Sequence, residues 1–378
     1  MKRKHVIIAL AVLIAVAALI FFLKRQSTSN QSIPSIKVAA NFPMSGELAF
    51  YGAAFRDGLV MAVDERGGAI KDKANIIFEW GDNQFSPKEA VSVFQKQQLD
   101  NPTIYTSALK PQVMAVTDEV SRAGIPHFAW ILDVDTNPAG TTNNLRCWVS
   151  FKLEADVFLK HANNRDVKKV AVVYLSLPSS EVEYGKIIVP ELKKQGREVL
   201  VEPFTSSVQP EDFKTIAAKV AAFKPDMVMI NGFIPQMVSI IRNLRTLGVI
   251  KSGNTLASLD MLDAANALSP EEAEGVVVAA PQFLLNPTAE QIAWSDRFKQ
   301  RFGHQPPYHS AFAYDMGLVI LDSTQRLKLP ATSEQWVSAL RATNIQGITG
   351  QIQFDSDGSL LTNLAPAIYR NGKLVPLQ

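Results

Sequence analysis

Two successive runs in which short apolar segments alternate with helix-patterned ones constrain this chain more than any other feature. The first run opens at IKVAANF (36–42), short and apolar enough for a buried parallel strand, and segment 52–65 then places Phe55, Leu59, Ala62 and Val63 at helical spacing. KANIIFEW (73–80) reads as the next strand, and Ser86-Pro87 opens a helix with Ser86 as N-cap and Pro87 at the first helical position. A helix from Pro111 to Arg122 leads into the strand IPHFAWI (125–131). The second run starts at KKVAVVYL (168–175). It continues through a helix near 182–195, REVLVEPF (197–204), a helix at 210–223, DMVMING (226–232), a helix at 235–247 and NTLASL (254–259). This repetition predicts an α/β fold of two doubly wound, Rossmann-like lobes with parallel sheets. Two lobes also suit 378 residues that are 47% apolar and 20% charged. After GVVVAAP (275–281), helical stretches at 288–302 and 309–327 have no strand partners in the second run.

The termini and charges narrow the function. Lys2-Arg3-Lys4, an apolar run from Val6 to Leu23 and Lys24-Arg25 predict an uncleaved membrane anchor, with a cleaved signal peptide as the alternative. The basic residues before the run place the body outside the cytoplasmic membrane, with residues 26–35 as a polar tether. The net charge is +2, but residues 1–29 hold five basic residues and no acid, which leaves −3 on the remainder. A mildly acidic body without a basic block excludes a nucleic-acid partner. Cys147 is the only cysteine, so no intramolecular disulfide or multi-cysteine zinc site exists, and a buried structural thiol is expected.

Catalytic motifs are absent. The chain contains no G-x-S-x-G, no P-loop and no G-x-G-x-x-G, and its five histidines include no H-E-x-x-H. His304 and His309 flank Pro306-Pro307 and are expected in a solvated loop; His127, inside an apolar strand, reads as a hydrogen-bonded core histidine. No enzyme, cofactor or metal is expected.

The remaining motifs carry a resemblance. PMSGELAFYGAAFRDGLVMAVDERGG (43–68), GDNQFSPKEAV (81–91), SRAGIP (121–126), EYGK (183–186), NGFIPQ (231–236), EGVVVAAP (274–281), FGHQPPYHSAFAYDMGLVIL (302–321) and TGQIQFDSDGSL (349–360) run in family order across about residues 36–370. Together they resemble the type I periplasmic solute-binding proteins, specifically the branched-chain amino-acid-binding-like receptors of ABC transporters. The resemblance implies three interlobe crossings, near 149–152, 277–283 and 353–357. It divides the chain into an anchor and tether (1–35), a first lobe (36–150 with 280–354) and a second lobe (151–279 with 355–378), the late helices completing the first lobe. It further implies that a small polar or amphipathic ligand, an amino acid or related compound, is captured between the lobes by hinge closure and delivered to an ABC permease. A ligand sensor of the same fold, signalling to a partner protein, is the rival reading.

Site residues follow from the same resemblance. Tyr51 and Tyr184 match cleft tyrosines of facing lobes, and Phe233 stands where amino-acid binders use an aromatic; packing of a loop is the alternative role for each. Thr106 and Ser107 are candidates for the hydroxyl residues that hold a ligand's carboxylate and amine. The next loop, AWILDVD, carries Ile131, Leu132 and Asp133 where a Ser/Thr-rich turn is expected, a departure from amino-acid binders. Asp133 and Asp260 are candidates to pair with a ligand cation or, equally, to cap helices and turns. Asp82-Asn83 are read as ordering the turn before Ser86.

Overall fold

Each run builds its own sheet. The computed structural model describes residues 33–131, 143–205 and 212–377. In the first sheet the strands are β1 (Ser35–Phe42), β2 (Ala69–Ile70), β3 (Ala74–Asp82), β4 (Ile104–Ala108), β5 (His127–Trp130) and β6 (Asn144–Arg146). Their order is β2-β3-β1-β4-β5-β6, parallel except for the short β2 edge. The second sheet contains β7 (Lys169–Leu175), β8 (Glu198–Phe204), β9 (Met227–Asn231), β10 (Thr255–Ala257) and β11 (Val276–Pro281), all parallel, in the order β11-β10-β9-β7-β8. A hairpin of β12 (Asn344–Gln346) and β13 (Gln351–Gln353) stands apart from both sheets. Two antiparallel strands, β14 (Leu364–Arg370) and β15 (Lys373–Pro376), extend the second sheet beyond β11. They turn at Asn371-Gly372, both in left-handed backbone (φ 52° and 72°), the conformation a two-residue hairpin turn requires.

Helices α1 (Ala49–Asp64), α2 (Pro87–Gln97) and α3 (Lys110–Arg122) belong to the first lobe. The second lobe carries α4 (Phe151–Asn163), a helical segment over 178–194 that is π-helical from Glu181 to Ile188, α5 (Asp212–Phe223) and α6 (Ile234–Thr246). The late helices α7 (Ala289–Phe302) and α8 (Tyr308–Arg326) return to the first lobe, followed by α9 (Ser333–Arg341). α8 lies against α1 so closely that a Cβ on Gly58 would stand 2.3 Å from the Ser310 carbonyl, and one on Gly317 would stand 2.5 Å from the Ala62 Cβ. Only glycine permits that approach. Phe42, Phe55, Leu59, Phe312 and Ile320 share this core, while Val173, Ile230 and Ile241 anchor a separate one under the second sheet.

The chain passes between lobes after β6, after β11 and between β13 and β14. Near the third passage Asp315 of α8 accepts hydrogen bonds from the backbone of Ile348 (2.7 Å) and Thr349 (2.8 Å) and from the Thr349 hydroxyl (2.6 Å). Burial pushes its carboxyl up to about 7 against those donors.

Ser86 accepts from the Glu89 backbone as an N-cap, and Asp82 and Asn83 accept from Gln84 and Phe85, ordering the turn before it. Cys147 is buried, and His127 is held inside the sheet by Ser107 and Asn144. His309 departs from expectation. Pro307 is the cap of α8 rather than the middle of a loop, so His309 lies in the first helical turn, 2% exposed. The apolar run 6–23 lies outside the described residues, among which no helix is long and apolar enough to cross a membrane.

Candidate functional site

The carboxyl ends of β4, β5, β7, β9 and β10 converge on an interlobe cavity of about 100 Å³. Crevices at strand carboxyl ends are where open α/β sheets bind ligands. The first lobe contributes an aromatic wall. Phe55 packs on Trp130 (ring centroids 4.9 Å apart) and Trp148 (5.5 Å), and Tyr308, Phe85 and Leu109 also line the space.

Backbone strain presents part of this wall. Gln84 (φ 51°), Phe85 (φ 57°) and Leu109 (φ 68°) adopt left-handed backbone without being glycine. Such strain persists only where surrounding bonds over-determine it. Here Asp82 Oδ1 accepts from Gln84 N at 2.9 Å, Asn83 Oδ1 accepts from Phe85 N at 3.0 Å, and Leu109 N donates to the Trp130 carbonyl at 3.2 Å.

The second lobe contributes the polar wall: Asp260, Ser258, Glu154, Asn231, Ser179 and Ser180. Glu154 Oε1 accepts from the Leu259 backbone at 2.8 Å and fixes the turn that carries Asp260. Burial raises the Glu154 carboxyl well above the usual carboxylate range, against its hydrogen bonds to Glu183 and Leu259. Burial likewise raises Asp260 to about 6, the facing His309 and the Tyr51 hydroxyl opposing the shift. Asn231 Oδ1 accepts from Ser180 Oγ at 2.9 Å. Ser258 Oγ is buried and has no hydrogen-bond partner.

Direct bonds join the walls. The Tyr51 hydroxyl donates to Asp260 Oδ1, and His309 Nδ1 donates to Asp263 Oδ2 at 2.9 Å. Phe233 meets Tyr51 (5.6 Å) and Phe85 (5.9 Å) edge-on across the gap. Tyr51 reaches this position because the first turn of α1 lies hard against the Pro43 carbonyl, where a Cβ on Gly52 would stand 2.1 Å away.

Tyr51, Phe233 and Asp260 are therefore brought together. Asp260 does not cap a helix through its side chain. Thr106 and Ser107 are placed elsewhere: Thr106 Oγ1 donates to the Phe128 carbonyl (3.1 Å) and accepts from Trp130 Nε1 (2.6 Å), and Ser107 Oγ is bonded to His127 Nε2 (2.8 Å). Tyr184 lies in the second-lobe core, its ring stacked on Tyr174 at 5.8 Å and its hydroxyl unpartnered. Asp133 lies outside the described residues. Trp130, Trp148, Tyr308, Glu154 and Ser258 are lining residues that sequence reasoning did not single out, and His309, expected in a solvated loop, lines it too.

Two α/β lobes with three connections and a ligand-sized cavity between them define a two-lobed binding protein. A family model described as periplasmic binding protein matches residues 35–372, and the chain belongs to that family. It is a solute-binding protein rather than an enzyme, and family membership places it outside the cytoplasm. A leucine-, isoleucine-, valine-, threonine- and alanine-binding protein of Pseudomonas aeruginosa is 23% identical over 88% of each chain. A Leu/Ile/Val-binding protein of Rhizobium johnstonii is 26% identical over 54% of this chain, a match spanning 56% of that relative. Among solved structures, a solute-binding protein of an ABC transporter from R. palustris in complex with benzoate superposes with a TM-score of 0.81. It is 18% identical, and the match covers 91% of this chain and 95% of that one.

Proposed function

We propose that this protein is the extracytoplasmic receptor of an ABC transporter, capturing a small amphipathic ligand, an amino acid or a related compound, between its lobes. The observation that carries this reading is the pair of walls joined by Tyr51–Asp260 and His309–Asp263 around the interlobe cavity. A ligand touching both walls stabilises the closed arrangement by its differential affinity for it, which is the signal a permease reads. The space is smaller than the roughly 150 Å³ apolar cavity that accommodates benzene, which favours a compact ligand. The relatives' printed ligands are small: leucine, isoleucine, valine, threonine and alanine in one, benzoate in another. Residues 6–23 are proposed to anchor the body at the cytoplasmic membrane.

The test is closure and transport together. Ligand addition should compact the protein in small-angle scattering, and deletion of the chain should abolish uptake of that ligand. Compaction without any uptake defect would favour a sensor of the same fold. Extraction of the protein from membranes by alkaline carbonate would remove the anchor from the proposal.

A further inference from the structure

We infer that the cavity is built for a small amine on an apolar body, one that carries no carboxylate; this deepens the receptor reading above and rests on it. The carboxylate that faces the cavity is Asp260; Asp263 stands behind it with His309 Nδ1 committed to it, and Glu154, also on the wall, is kept from ionising by burial. Lys110, the lysine on the wall, is itself engaged with the protein. Ser258 Oγ, buried on the same wall without a partner, supplies the second mark of an absent ligand, because a buried hydroxyl left unpaired is unfavourable. Asp260 keeps acceptor capacity beyond the Tyr51 hydroxyl, since a carboxylate offers about four lone-pair sites.

The aromatic wall suits a cation as well as an apolar body. Trp148, Tyr308 and Phe55 line the same space, and aromatic rings attract an ammonium more strongly where water is excluded. No comparable cradle for an anion exists among the described residues of the first wall. The Thr106 and Ser107 hydroxyls are consumed inside the sheet. The start of α3 is also spent: Pro111 has no N–H, and the N–H groups of Gln112 and Val113 donate to the Leu109 carbonyl at 3.1 and 3.0 Å. A carboxylate entering here would lose its hydration and meet the like charge of Asp260.

The test uses matched probes on the full chain in mild detergent, by calorimetric titration at pH 7.5: 3-methylbutylamine, L-leucine and 4-methylpentanoate, then 2-phenylethylamine, L-phenylalanine and 3-phenylpropanoate. In at least one series the amine should bind at least about tenfold more tightly than its amino acid, and the acid should not bind. Ser258→Ala should weaken the amine by about fivefold while the unliganded melting temperature holds or rises. Equal or tighter binding of an amino acid or acid overturns the inference and leaves the receptor reading standing. So does a carboxylate found by native mass spectrometry on the purified protein. Silence from all six probes with no small molecule co-purifying overturns the receptor reading itself.

Discussion

The two walls of the cavity are made of opposite materials. The first-lobe wall is continuous with its core: Trp148 touches Phe55, Trp130, Tyr308, His309 and Phe312, so the residues that shape the cavity also hold the lobe together. The second-lobe wall is a set of polar ends on short turns, backed by a buried carboxyl that fixes a turn rather than fills a core. One wall gives shape and rigidity; the other gives charge and changes protonation. A substitution should therefore damage folding on the first wall and affinity on the second.

The largest expected effect breaks that comparison most directly. Trp148→Ala should cost about 3–5 kcal/mol of stability, read as a lowered urea midpoint, because it opens a void among packed rings. Asp260→Ala should leave the midpoint within about 1 kcal/mol, or raise it, since it removes a carboxyl that burial disfavours. Its effect should fall on affinity, which weakens at least about tenfold, or roughly 1.4 kcal/mol. A second wall that destabilised as much as the first would end the distinction.

Next in size is a pH response that differs between two buried acids. Asp315 anchors the first lobe and Asp260 faces the ligand, and both carboxyls are raised, to about 7 and about 6. A raised acid contributes stability that is complete below its unfolded value near ~4 and is lost as pH climbs through the folded value. Unliganded melting temperature should thus fall from pH 4 to pH 7, and Asp315→Asn should flatten part of that fall. Ligand binding should run the other way for an amine, its thermal shift growing as Asp260 ionises through about pH 6. Asp263, Glu154, His309, Tyr51 and Tyr308 surround Asp260, so the slope belongs to that cluster as a whole. A thermal shift independent of pH from 5 to 8 would remove Asp260 from the ligand.

A smaller effect separates the two tyrosines proposed from the sequence. Tyr51→Phe removes the bond to Asp260 and should weaken binding by about fivefold with stability nearly constant. Tyr184→Phe removes a buried hydroxyl without a partner and should leave affinity unchanged while stability holds or rises by up to about 1 kcal/mol. Equal losses of affinity in both would return Tyr184 to the cavity.

The lobes are legible in the sequence because parallel strands buried on both faces read as apolar runs and their crossover helices carry plain start signals such as Ser86-Pro87. The site is only half legible. Tyr51 and Phe233 sit at strand-to-helix turns, where an aromatic stands out from its polar neighbours. Trp130, Trp148 and Phe55 stand in apolar surroundings and look like any other core residue. Pro306-Pro307 reads as a turn and draws His309 into solvent, whereas proline also opens helices. The Asn371-Gly372 hairpin carries its signal openly, but it follows a stretch whose alternation is weak. Glu154 and Ser258 gain meaning only from contacts made far along the chain.

The smallest predicted effect tests the point at which sequence and structure part most sharply. Thr106 and Ser107 are neighbours on β4, and successive side chains of a strand point to opposite faces. Both cannot serve one ligand unless the strand has ended before them, and β4 runs through to Ala108. Thr106 instead ties Trp130 to the Phe128 carbonyl, and Ser107 ties β4 to His127, whose ring burial lowers to about 4 and so keeps neutral. Thr106→Val should therefore cost about 1 kcal/mol of stability through the unpaired indole N–H and leave ligand affinity within twofold. Ser107→Ala should behave alike, with His127 losing one of its two partners. A tenfold loss of affinity at undiminished stability in either variant would mean that the first wall does offer a hydroxyl to the ligand, and with it a place for a carboxylate.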